Sequence, residues 1–220
     1  MTVLLVVAKA PVPGQVKTRL SPPASPPQAA AIAAASLLGT LRAVRAVPRV
    51  TPMVAWAGRL EDACRAAELR AELATMPVLA QRGGGFGARL AAAHADGARA
   101  GAGRPVLQIG MDTPQASAEL LGECAGVLHR GRLDAVLGPA TDGGWWALGL
   151  VDPRYAAVLR AVPMSRPDTG AATLAALRAA GLRVELLPEL TDVDRMADAR
   201  RVAAQLPGSE FAAAVAAVGW

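Results

Sequence analysis

Six charged side chains carry the chemistry this sequence offers. Lys9, Lys17 and Arg19 follow the apolar run Val3 to Val7 within one short stretch, and Asp112, Asp142 and Asp194 each follow a later apolar run, in turn-forming sequence. Lys meets a phosphate as a point charge, whereas Arg offers two phosphate oxygens a planar fork. Carboxylates alone would repel a phosphate, but carboxylates holding Mg²⁺ or Mn²⁺ beside such cations make a phosphoryl-transfer arrangement. Taken singly, each Asp is also accounted for by a turn or a helix cap, and each cation by a solvated loop. The functional reading therefore rests on whether the fold brings them together.

The elements that must do so are legible as alternating apolar runs and helical stretches. Val3 to Val7 is a continuous β-rich run, as in a parallel strand covered on both faces. Pro11, Pro13 and Gly14 exclude helix and hold the cations near the strand's carboxyl end, where open α/β sheets bind ligands. Neither G-x-x-x-x-G-K-[ST] nor G-x-G-x-x-G occurs, which removes support from those two nucleotide folds. Further strands are expected over 49–57, 76–80, 105–109, 133–137, 145–150 and 182–187, and helices over 28–47, 61–73, 88–100, 117–129, 152–162, 169–180, 197–205 and 210–218. The stretch QRGGGFG at 81–87 is too glycine-rich for regular structure, and its backbone amides can approach an anion. The pattern predicts one α/β domain over residues 1–220, a three-layer sandwich around a mostly parallel sheet.

Composition narrows the function classes. Hydrophobic residues make 53% of the chain but aromatics only 3%, so the core is expected to be built from Ala, Leu and Val. A net charge of +5 suits an anionic substrate, and the absence of interleaved aromatics or a dense basic run speaks against nucleic acid. Cys64 and Cys124 form no C-x-x-C and are expected to be idle thiols. The first apolar run is too short to span a membrane and no signal pattern precedes it, so a cytoplasmic protein is expected. His94 and His129 lack ligand spacing and are expected at surface or capping positions.

Five ordered stretches, AKAPVPGQVKTRL, QRGGGFGARL, IGMDTP, GPATDGGWWALGL and LTDVD, resemble a bacterial GT-A-type family of radical-SAM/selenodomain-associated or arsenosugar-biosynthesis glycosyltransferases. Its wider relatives include 2-phospholactate guanylyltransferases and molybdenum-cofactor nucleotidylyltransferases. The resemblance implies a nucleotide-diphospho-sugar transferase fold and a divalent metal. The loop from Ala8 and Lys9 through Pro11 and Gly14 to Lys17 and Arg19 would embrace base and phosphates, helped by Gly84 and Gly85. Asp112 of G-x-D-x-P would bind the metal together with Asp194; Asp142 would act beside Lys17 and Arg19 in catalysis. Trp145 and Arg166 would lie on the acceptor side, with only one of the adjacent pair Trp145 and Trp146 reaching the site, since neighbouring strand residues face opposite ways.

Met111-Asp112-Thr113 carries a single acid where glycosyltransferases of this fold show Asp-x-Asp, and Lys-Thr-Arg-Leu with G-x-D-x-P is closer to nucleotidylyltransferases. The expected activity is therefore nucleotidylyl transfer from a nucleoside triphosphate to a small anionic or phosphorylated acceptor. Sugar transfer from a nucleotide-sugar is the alternative, and a nucleotide-binding protein without turnover stands behind both.

Overall fold

A computed structural model describes residues 1–219. The first apolar run becomes β1 (Thr2–Lys9), whose side chains divide as an extended chain requires: Leu4, Val6 and Ala8 pack on one face of a sheet, Val3 and Leu5 on the other. Burial on both faces is why the run is apolar throughout. The remaining strands are β2 (Val50–Ala57), β3 (Val78–Ala80), β4 (Val106–Ile109), β5 (Ala135–Pro139), β6 (Trp145–Leu150) and β7 (Val184–Leu186). They form a seven-stranded sheet of order β3-β2-β1-β4-β6-β5-β7, parallel except where β6 runs against β4 and β5.

This order creates the site. The chain leaves β1 for β2 and β3, then returns to β4 on the other side of β1, so a crevice opens at the carboxyl ends of β1 and β4. Because β6 alone is reversed, β5 and β7 end on the same edge of the sheet.

Helices cover both faces. One face packs on α1 (Pro26–Ala46), α2 (Ala66–Leu73) and α4 (Ala118–Val127), through Leu37, Leu41, Leu69 and Leu121. The other packs on α3 (Phe86–Ala100) and α5 (Thr169–Ala179), through Leu90, Ala93 and Leu177. Two further helices, α6 (Met196–Gln205) and α7 (Glu210–Ala216), fold back on α1 around Ile32, Val202 and Phe211. Ser25 and Gln28 start α1 with a reciprocal capping box, and Pro26 and Pro27 occupy its first turn. By length and composition α1 could cross a membrane, yet 67% of its apolar window is buried within the protein, as a helix pressed between sheet and C-terminal helices must be.

Three local expectations are corrected. The helix expected over 61–73 splits into a 3-10 turn, Leu60–Asp62, and α2, because the Cys64 amide donates to the Pro11 carbonyl and Arg65 turns left-handed at φ 59°. The helix expected over 152–162 is a run of 3-10 turns, Pro153–Arg160, at whose start the Asp152 carboxylate accepts the Arg154 amide. His94 is fully buried rather than at the surface or a cap, since it falls one turn after Leu90 on the sheet-facing side of α3. Burial pushes its pKa down to about 3 despite the neighbouring Gln108 amide.

Candidate active site

At the carboxyl edge of the sheet lies a cleft of about 830 Å³, and beside it a smaller cavity of about 250 Å³. Lys9, Arg19, Asp112 and Asp194 line both, which makes them one site.

Each charged group is set by a local tether. The loop after β4 is held from below by the Ser36 hydroxyl of α1, which donates to the Met111 carbonyl at 2.7 Å, and from the side by the Val193 amide, which donates to the Asp112 carbonyl at 2.9 Å. The Lys9 amide meets the Met111 sulfur at 3.4 Å, joining the loops after β1 and β4. After β7 the chain runs beside the extension of β5, where Thr141 N–H donates to the Leu190 carbonyl, and this carries it to the acidic segment. Val193 is 1% exposed, packed with Leu20 and Phe211, so its neighbours Asp192 and Asp194 turn together to the cleft. Asp142 Oδ1 accepts the Gly144 amide at 2.8 Å across a tight turn. Gly143 has φ +86°, and a Cβ there would stand 1.8 Å from the Pro167 carbonyl oxygen, so the segment bearing Arg166 closes directly over this turn.

Charge is interleaved on this side. Lys17 Nζ lies 3.0 Å from Asp112 Oδ2 and 4.0 Å from Asp192 Oδ2, and Arg19 Nη1 lies 2.5 Å from Asp194 Oδ2. The Lys17 side chain is only 8% exposed. Burial alone would lower its pKa, but Asp112, Asp192 and Asp194 outweigh it and raise the pKa above the ordinary value. Burial and the repulsion of Asp112 push Asp192 up to about 7 in spite of Lys17. Asp112, Asp142, Asp192 and Asp194 thus stand among Lys9, Lys17, Arg19 and Arg195. Asp112 Oδ1 is buried without a hydrogen-bond partner. An unpartnered hard oxygen donor among neighbouring carboxylates fits a divalent cation. Among the described residues no three acidic, imidazole or thiol groups already close on one point, because the Lys17 ammonium stands between Asp112 and Asp192.

The other wall belongs to α3 and the 164–167 segment. Phe86, Arg89 and Leu90 face the cleft beside Met164, Ser165 and Arg166. Trp145 turns to this side and donates from Nε1 to Thr173 Oγ1 at 3.1 Å, whereas Trp146 is 2% exposed on the opposite face and donates to the Pro188 carbonyl. Between the walls, Gln81 Nε2 donates to the carbonyls of Ala8 and Ala55, closing the ends of β1 and β2.

The fold therefore gathers Ala8, Lys9, Arg19, Asp112, Asp142, Asp194, Trp145 and Arg166 at one cleft, with Lys17 in the adjoining cavity. Lys17 stands under the loop as the counter-ion of Asp112, not free upon it. Lys9 Nζ donates to the Gln15 carbonyl, stiffening the loop. Pro11 and Gly14 line neither cavity; they shape the turn, Gly14 at φ +76°. Gly84 and Gly85 are exposed just before α3, outside the lining, while Gln81, Phe86 and Arg89 on either side of them form the wall. From sequence, Asp192 stands out only as part of the Asp192-Val193-Asp194 segment, with no role of its own, and Gln81 and Arg89 have none. The alternation Asp192-Val193-Asp194 and the i,i+3 spacing of Phe86 and Arg89 were usable signals; Gln81 carries none.

Residues 40–166 match the model of a family described as uncharacterized protein conserved in bacteria, DUF2064. The chain belongs to this family. No curated protein is similar enough in sequence to match it. Among solved structures, a protein from Desulfovibrio desulfuricans G20, provisionally described as a nucleotide-diphospho-sugar transferase, is 25% identical with a TM-score of 0.85, over 99% of this chain and 95% of that one. A CMP:2-keto-3-deoxy-manno-octonic acid synthetase complexed with CTP is 13% identical with a TM-score of 0.57, over 93% of this chain and 98% of that one. A cytidylyltransferase from Leptospira borgpetersenii serovar Hardjo-bovis is 10% identical with a TM-score of 0.54, over 99% and 93%. The fold of this family member is that of the nucleotide-diphospho-sugar transferases.

Proposed function

We propose that this protein is a nucleotide-dependent transferase that moves a nucleotidyl group from a nucleoside triphosphate to a small anionic acceptor. The observation that carries the reading is the charge pattern of the cleft: cations from the loop after β1 interleaved with carboxylates from the ends of β4, β5 and β7. Such a mixture suits neither a bare phosphate nor a bare cation; it suits a polyphosphate that arrives with its counter-ion. The CTP bound to the synthetase is consistent with it.

In this mechanism Asp112, through its unpartnered Oδ1, and Asp194 would hold Mg²⁺ or Mn²⁺. When bound, that ion supplies neutralisation of the charge on the reacting phosphates. Arg19 exchanges its exposed contact with Asp194 for phosphate oxygens, and Lys9 adds a second cation. Lys17 holds Asp112 in place. Asp142, already fixed by the Gly144 amide, orients the acceptor. An acceptor oxygen attacks the α-phosphorus, the bond to the α–β bridging oxygen breaks, and pyrophosphate leaves with the electron pair. A carboxylate or phosphate acceptor is already deprotonated, so positioning and charge neutralisation suffice.

The second reading, transfer of a sugar from a nucleotide-sugar, is favoured by the description of the Desulfovibrio protein. Calorimetric titration with the four nucleoside triphosphates and a panel of nucleotide-sugars, with and without Mg²⁺ or Mn²⁺, separates the two. Metal-dependent binding of one triphosphate supports nucleotidylyl transfer and names the base. Preference for a nucleotide-sugar replaces it by sugar transfer, and binding of neither overturns both.

A further inference from the structure

Arg89 stands in the first turn of α3 and lines the cleft on the wall opposite the carboxylates. Its Nε is buried without a hydrogen-bond partner, and among the described residues no carboxylate pairs with its guanidinium. Arg19 of the same cleft is engaged by Asp194, and Arg82, in the loop before α3, by Asp96. This buried Nε–H is a donor without an acceptor on a positively charged side chain, so at this place it calls for an anion from outside.

The surroundings say what else that anion carries. Phe86 is 45% exposed, with its ring centroid 5.7 Å from the Arg89 guanidinium carbon, so the ring braces the cation and still presents apolar surface. Trp145 adds an indole fixed by Thr173. Met164 closes the far side: a Cβ at Gly87 would stand 3.1 Å from its methyl group and 2.3 Å from the Leu159 carbonyl oxygen, so the first turn of α3 lies flush against this segment. Arg166, whose guanidinium pairs with the exposed Asp168 at 3.1 Å, is a second cation on this wall.

We propose that Arg89, with Phe86, Trp145 and Met164, forms the acceptor subsite and selects a small acceptor in which a carboxylate or phosphate is joined to an apolar or planar part. The proposal rests on the transferase reading and adds the residue that reads the acceptor's charge. A neutral acceptor would leave the guanidinium unpaired, and a bare inorganic anion would leave the aromatic surface uncovered. The polyphosphate belongs to the other wall, where Lys9 and Arg19 stand.

The test titrates the full chain with phenyl phosphate, inorganic phosphate and phenol, by calorimetry and tryptophan fluorescence, and in parallel with the nucleoside triphosphates and Mg²⁺. Wild type, Arg89→Gln, Arg89→Lys and Arg19→Gln are compared, with melting temperatures to check folding; if Arg89→Gln does not fold, Arg89→Lys carries the comparison. Phenyl phosphate is expected to bind more tightly than either fragment, and Arg89→Gln to weaken it about tenfold or more, with partial recovery in Arg89→Lys. Triphosphate affinity is expected to stay within about twofold in Arg89→Gln and to fall in Arg19→Gln. Equal phenyl phosphate binding in wild type and Arg89→Gln, no binding to wild type, or loss of triphosphate in place of phenyl phosphate would each overturn the subsite. Arg89-dependent binding of phenyl phosphate by a chain that binds no nucleotide would keep the anion subsite and remove the transferase reading.

Discussion

The two walls of the cleft handle charge in opposite ways. On the α1 side Lys17 has Asp112 and Asp192, and Arg19 has Asp194, while Lys9 donates to the Gln15 carbonyl. On the α3 side Arg89 has none, and an aromatic ring supports it instead. A self-compensated wall keeps its shape without ligand and can exchange partners when a polyphosphate and its counter-ion arrive together. A wall where Arg89 stands over apolar surface, beside an Arg166 already paired with Asp168, is complementary to one anion at a time. The difference teaches that the two ligands proposed for the cleft, of unlike charge density, would meet walls of unlike electrostatics.

The largest effect is expected on the compensated wall. Asp112→Ala removes the counter-ion of a buried lysine and one proposed metal ligand together. It should abolish measurable turnover and cost about 3 kcal/mol in a urea unfolding curve; wild-type turnover would place the chemistry elsewhere. Next comes the lid of the other wall. Gly143→Ala puts a methyl where the Pro167 carbonyl stands and at a left-handed φ, so a loss of about 2 kcal/mol is expected, with weakened acceptor binding and unchanged triphosphate affinity. Equal loss of both ligands would merge the walls into one functional unit.

Beneath the α3 wall, His94 gives that half of the molecule its own pH signature. Its folded pKa, about 3, lies below the ordinary 6.5, so between these values the unfolded chain binds a proton that the folded chain refuses. Its contribution to stability is full above pH 6.5 and is lost as pH falls toward 3, at a limiting slope of about 1.4 kcal/mol per pH unit. His94→Met should remove that slope from a pH series of urea midpoints. The smallest effect on folding is expected at Arg19, which is 64% exposed. Arg19→Ala should leave the melting temperature unchanged and lower triphosphate affinity about tenfold, a separation that marks a binding group rather than a structural one.

Much of this was legible in the chain before any coordinates. The continuous apolar run of β1 announced a strand buried on both faces, and the Pro and Gly after it announced a loop rather than a helix. Asp112 and Asp142 could be placed just past strand ends, because turn residues follow each apolar run, whereas Asp194 lies beyond β7, after the Leu190 bridge to the extension of β5. Neighbouring tryptophans had to face opposite ways, and Trp145 and Trp146 do. These readings succeed because backbone periodicity and turn chemistry are local.

Everything that depended on two distant segments meeting was decided by the tertiary structure. The reversal of β6, the seating of Lys17 between Asp112 and Asp192, and the burial of His94 against β4 join residues far apart in sequence. So does the contrast between Arg19 and Arg89, two arginines alike as letters. One lies 175 positions from the aspartate that holds it, and the other has no carboxylate partner among the described residues. A side chain's type fixes what it can bond, but only packing fixes which bonds remain unmade, and it is the unmade ones that a ligand completes.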